Sequence, residues 1–154
     1  MMEELNERIK TKTPALVFRA IEPSFTWETV VGYLQHCVDN EVGEPIGILN
    51  FRLPMAEQLD SIRPVFEYLN ENLDIEVIGS DLYATLTTKN EDIKYKSKND
   101  VLIWNVLGES FFQVNDESRD VQKGDLIYVP AETEYVYKPI EARAYVVFSL
   151  SRED

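Results

Sequence analysis

The sequence predicts a mainly β, α+β chain in which helices of the first half pack outside a β-rich second half. Three observations carry that reading. From residue 81 onward, runs of four to nine residues alternate with turn signals, giving about eight short strands at hairpin spacing. Before residue 81, apolar residues recur in two stretches at helical spacing. Between them in character stands GDLIYVPAETEYVYK (124–138), which reads as two strands joined by a tight corner. Pro130 ends the first of these strands, because proline has no N–H to give a sheet ladder.

Composition bounds the function. The chain has 154 residues, 44% of them hydrophobic, with two Trp, eight Tyr and seven Phe, enough for a substantial core. Its net charge of −13 argues against nucleic acid or an anionic membrane as a partner, since both need a basic face. One cysteine, Cys37, allows no internal disulfide and fits a reducing compartment. The start, MMEELNERIKTK, is charged and lacks the apolar core of a signal peptide. A soluble cytoplasmic protein, of a cell or a virus-infected host, is expected. With a single histidine, His36, one chain can assemble neither a two-His, one-carboxylate iron triad nor a three-His zinc site.

Taken in order, residues 1–13 read as a polar segment, mobile or loosely docked, and residues 14–154 as a single domain with a strand/helix half (14–80) and a β-rich half (81–151). PALVFRAI (14–21) reads as a strand. Thr26 is placed to cap a helix whose apolar stripe is Trp27, Val30, Val31, Leu34 and Val38, ended by the glycine of 40–44. His36 lies off that stripe and Cys37 borders it. Adjacent helix positions point about 100° apart, so these two do not make a nucleophilic pair. PIGILNFRL (45–53) is a second apolar run. Pro54 suits a first helical turn, and Leu59, Ile62, Phe66, Leu69 and Leu73 follow at helical spacing. Pro64 inside that pattern predicts a kink, or two short helices meeting near Arg63.

In the β-rich half, Lys94, Lys96 and Lys98 alternate with Tyr95 and Ser97, as on a solvated strand face. Asp125, Glu132 and Glu134 crowd the 124–138 corner, where they form either a solvated turn or an oxygen-ligand set for a hard cation. Both faces of Ala144, Tyr145, Val146, Val147 and Phe148 are apolar, so this strand is expected to be covered on both sides, by a helix or by a partner subunit.

The spacing Gly124, Pro130, Tyr135 resembles the second motif of the cupin superfamily, whose fold is a double-stranded β-helix, or jelly roll. YKSKNDVLIWNVLGESFFQV (95–114) is similar to the metal-motif segment of its Jumonji-C-like branch, the iron- and 2-oxoglutarate-dependent oxygenases. Asp100, the apolar run to Leu107, Gly108, Phe111 and Phe112 carry the likeness, which covers about residues 81–150 best. The resemblance implies a barrel with the N-terminal helices outside. It also implies that Tyr95 and Ser97 stand where a His-x-Asp iron motif belongs, and Tyr135 where the second His belongs. Glu109 and Ser110 stand where the family holds the distal carboxylate of 2-oxoglutarate with a basic residue.

The expectation is therefore a cupin-like domain with a degenerate metal site, a non-catalytic binding or assembly module, with no cofactor and a homo-oligomeric (dimeric) state. One alternative is a divergent oxygenase using Fe(II) and 2-oxoglutarate, or another metal-dependent cupin. A second alternative is metal-free small-molecule binding in the barrel, lined by Tyr95, Ser97, Trp104, Asn105, Ser110 and Tyr135. For Tyr95 and Tyr135, rings that fill the space a metal would take are preferred over rings that line an open pocket.

Overall fold

The computed structural model describes residues 1–47, 49–87 and 94–151. Among them the elements run α1 (Met2–Thr11), β1 (Ala15–Val17), α2 (Trp27–Asp39), β2 (Glu44–Gly47), β3 (Asn50–Pro54), a 3-10 turn (Ala56–Gln58) and α3 (Arg63–Asn72). Eight strands follow: β4 (Val77–Thr85), β5 (Lys94–Lys96), β6 (Val101–Leu107), β7 (Ser110–Val114), β8 (Glu117–Val121), β9 (Leu126–Val129), β10 (Glu134–Pro139) and β11 (Arg143–Leu150). The turn expected at KNED (89–92) lies outside the described residues.

The strands form two antiparallel sheets. One has the order β1-β9-β6-β11-β4-β3-β2 and the other β5-β10-β7-β8. They face each other as a jelly roll. Alternation along each strand then divides the apolar residues into two layers. On β11, Ala144, Val146, Phe148 and Leu150 face a core shared with the helices, with Leu5, Val30, Ile62 and Leu69. Tyr145 and Val147 face the other sheet and meet Phe112, Val114, Tyr135 and Tyr137. The central strand is thus covered on both sides within one chain, and its two apolar faces do not call for a partner subunit.

Several local expectations need correction. Residues 1–13 are not loosely docked: α1 buries Leu5 and Ile9, and Lys12 reaches Asp100 at 2.7 Å. The apolar stripe of α2 is rotated from the one expected. Val30, Tyr33 and Cys37 are buried, whereas Val31 is 52% and Val38 60% exposed. The Tyr33 hydroxyl donates to the carbonyl of Pro54, so an aromatic with a polar tip displaced the aliphatics. The end of α2 is made by Glu41 at φ 56°, with Val42 N–H on Cys37 O at 2.9 Å, and not by Gly43. Pro54 closes β3 rather than opening a helix, and Pro64 sits in the first turn of α3, where its missing N–H costs nothing. The apolar run 45–53 falls in a hairpin, β2 with β3.

The N-cap of α2 matches expectation: Thr26 Oγ1 accepts from Thr29 N–H at 3.3 Å. Thr26→Ala is expected to lower stability by about 1 kcal/mol, checked by the urea midpoint, with Thr26→Ser close to wild type.

Candidate functional site

The site is the space between the sheets, and strand register decides what enters it. β5 pairs with β10 so that Tyr95 stands directly opposite Tyr135. Their rings stack at 5.4 Å between centroids. These are the two positions at which the sequence likeness places histidines, and the fold brings them together across one strand pair. Ser97 lies just past β5. Its Oγ accepts from Asn99 N–H at 3.2 Å and its carbonyl from Glu132 N–H at 2.8 Å, so it builds the turn.

More rings fill the interior than the sequence identified. Tyr145 pairs with Tyr83 across β11 and β4, and the two rings stack at 5.0 Å. Tyr137 stacks on Tyr145 at 4.4 Å, and Phe112 lies 5.7 Å from Tyr135 and 5.8 Å from Tyr137. Burial pushes the phenol of Tyr83 up to about 12, with the Asp81 carboxylate adding to the rise. Burial also raises Tyr135, helped by Tyr83, Tyr95 and Tyr137, and it raises Tyr137 and Tyr145 despite the nearby Arg143. At neutral pH these four phenols stay protonated.

One charge enters this layer. Arg143 is 1% exposed, and its guanidinium lies 4.2 Å from the Tyr137 ring centroid and 4.7 Å from that of Tyr145. Its Nη2 donates to the Tyr137 carbonyl at 2.9 Å, while Nε and Nη1 meet no acceptor among the described residues. Asn105 is fully buried beside it. Its Oδ1 accepts from the Tyr137 hydroxyl at 3.1 Å, and its Nδ2 donates to Gly108 O at 2.7 Å. Ser110 is also buried, with its Oγ beside the Tyr137 hydroxyl, whose pKa it lowers against the rise from burial.

Of the expected lining residues, Tyr95, Asn105, Ser110 and Tyr135 belong to this interior. Trp104 does not. It faces the helical layer, packs on Phe25 and Phe148, and donates Nε1–H to Ile21 O at 2.9 Å. Adjacent strand residues point to opposite faces, so Asn105 inward requires Trp104 outward. Sequence reasoning missed Tyr83, Tyr137, Tyr145 and Arg143. The signal was a lone cation at the head of the apolar run ARAYVVFSLS.

The metal implied by the likeness does not fit this donor set. Where imidazoles belong stand two stacked rings, Tyr95 and Tyr135, and the Ser97 hydroxyl is turned to the backbone N–H of Asn99. Among the described residues no three His, Cys, Asp or Glu side chains are grouped to hold an ion. At the 124–138 corner, Asp125 spends both oxygens on the N–H groups of Arg19 and Gln122, at 2.8 and 2.9 Å. Glu132 and Glu134 pair with Lys96 and Lys94, each at 3.8 Å. His36 is exposed and stacks on Tyr33 at 5.9 Å, outside the barrel.

No protein-family model and no curated protein sequence matches the chain. Solved structures do. The ribosomal oxygenase YcfD of Escherichia coli has a TM-score of 0.79 at 12% identity, over 100% of this chain and 52% of that one. Its complex with cobalt and 2-oxoglutarate gives 0.78 at 11%, over 99% and 52%. Salicylate 1,2-dioxygenase of Pseudoaminobacter salicylatoxidans, with gentisate, gives 0.53 at 12%, over 81% and 32%. The chain spans about half the length of the E. coli structures it resembles. No described helix is long and apolar enough to cross a membrane. At these identities the likeness carries the architecture alone: the chain has a double-stranded β-helix, or jelly-roll, fold like that of the E. coli ribosomal oxygenase.

Proposed function

We infer that this chain is a metal-free, non-catalytic binding module built on a cupin barrel. The observation that carries the reading is the stacked pair Tyr95 and Tyr135. Two phenol rings occupy the positions at which the family likeness places imidazoles, and Ser97 builds a turn where the carboxylate belongs. Iron(II) chemistry needs neutral imidazole and carboxylate donors with open positions beside them, and rings in stacking contact supply neither.

The second reading, a divergent Fe(II)- and 2-oxoglutarate-dependent oxygenase, is favoured by the shared fold with an enzyme solved with cobalt and 2-oxoglutarate. Metal analysis of protein purified without chelators separates the two. The expected outcome is no stoichiometric iron or manganese, and no succinate formed when Fe(II), ascorbate and 2-oxoglutarate are added. One iron per chain with turnover would establish the oxygenase. Assembly as a homodimer belongs to the same proposal, and a strict monomer by light scattering would remove that part.

A further inference from the structure

We propose that Arg143 is the receptor of a compact monovalent anion, of the size of formate or chloride, inside the barrel. This deepens the reading of the chain as a metal-free binding module and rests on it. A guanidinium is always charged at physiological pH, and burying one without a counter-charge costs several kcal/mol. Among the described residues no carboxylate is paired with Arg143, and it has one hydrogen bond, to the carbonyl of Tyr137. Asp125, the buried carboxylate that also bears on Tyr137, has both oxygens committed to backbone N–H groups. The faces of Tyr137 and Tyr145 stabilise the cation from one side. Nε–H and the Nη1 protons remain in the plane of the group, where π faces do not reach and an anion does.

The surroundings form a built polar end to an otherwise aromatic interior. Asn50, Thr85 and Arg143 are successive cross-strand partners on β3, β4 and β11, and all three are buried. Asn105 and Ser110 add a buried amide and a buried hydroxyl from β6 and β7. Donors outnumber acceptors there, because the Asn50 and Asn105 oxygens already accept from Thr85 and Tyr137. The rings limit size. Tyr137 and Tyr145 are 4.4 Å apart, and Arg143 covers both. An anion of one to three heavy atoms, such as chloride or formate, suits that geometry, and a five-carbon dicarboxylate such as 2-oxoglutarate does not.

The test is thermal unfolding in chelator at constant sodium concentration, with chloride, formate, acetate, propionate or 2-oxoglutarate replacing a background sulfate. The expected result is a saturable rise of about 5 °C with formate or chloride, weaker with acetate and absent with propionate and 2-oxoglutarate. Arg143→Met, which keeps the volume without the charge, is expected to lose the rise and to be no less stable than anion-free wild type. Equal shifts in wild type and Arg143→Met, or no saturable shift in wild type, would overturn the proposal and leave the guanidinium held by the ring faces and the Tyr137 carbonyl. Should Arg143→Met fail to fold, the wild-type size series decides: propionate or 2-oxoglutarate acting as strongly as formate would overturn it. Iron content fails or passes separately, so an anion site could be lost while the metal-free reading stands.

Discussion

Gly108→Ala is expected to destabilise the fold by about 3 kcal/mol or more. Gly108 has φ +75°, where an L side chain is strained, and a Cβ there would lie 2.2 Å from Ala142 O and 3.0 Å from both Cα and Cβ of Arg143. Ala142 O and Arg143 Cα are backbone atoms and Arg143 Cβ is fixed to that backbone, so no side-chain rotation relieves them. The glycine carbonyl also holds Asn105, which in turn holds Tyr137. A shift at this turn therefore propagates into the polar end of the barrel. Urea denaturation checks it: the midpoint should fall with an unchanged slope. Gly32→Ala is the matched control. It lies inside α2 with nothing within 4 Å of the added carbon, and is expected to gain about 0.5–1 kcal/mol. A loss under 1 kcal/mol for Gly108→Ala would show that the turn is not built as described.

The second large effect is at Asp100. This carboxylate is 4% exposed and ties three parts of the molecule together. Oδ2 accepts from Lys12 Nζ at 2.7 Å and from the Tyr128 hydroxyl at 2.8 Å, and Oδ1 accepts from Ala131 N–H at 2.7 Å. Burial by itself would raise its pKa. The hydrogen bonds from Lys12, Ala131 and Tyr128 outweigh burial and hold it below the ordinary aspartate value. Asp100→Ala is expected to cost about 3 kcal/mol near neutral pH, most of it from the Tyr128 and Ala131 donors left unpaired. Lys12 is half exposed, so its share is small. A depressed carboxyl contributes stability that is fully present above its unfolded pKa and is lost as pH falls through its folded pKa. The gap between wild type and Asp100→Asn should therefore be constant above about pH 5 and close progressively below about pH 4. A gap independent of pH down to acid unfolding would contradict the role of the charge.

How much of this was legible in the sequence follows from which signals are local. The strand-rich half was readable because each strand is bounded by its own turn residues: Gly124, at φ +92°, opens the corner before β9, and Pro130 follows its end. The cap at Thr26 was readable because donor and acceptor are three residues apart. The stripe of α2 was misjudged because Tyr33 and Cys37, less apolar than Val31 and Val38, take the buried face. The choice fell to the carbonyl of Pro54, twenty-one residues away. α1 looked polar because two buried residues, Leu5 and Ile9, are enough to dock ten.

By itself the sequence determined the β-rich architecture, the missing second histidine, and the identity of the residues at 95, 97 and 135. Turn chemistry, hydrophobic period and composition are properties of neighbouring residues. The tertiary structure alone decided that Tyr95 and Tyr135 stack, that Tyr83, Tyr137 and Tyr145 join them, and that Arg143 is sealed among the rings. The Tyr95–Tyr135 and Tyr83–Tyr145 pairs depend on register between strands whose facing residues are 40 and 62 positions apart, and all of them depend on which face of each strand turns inward. A pattern of period two leaves both open until the second sheet is in place.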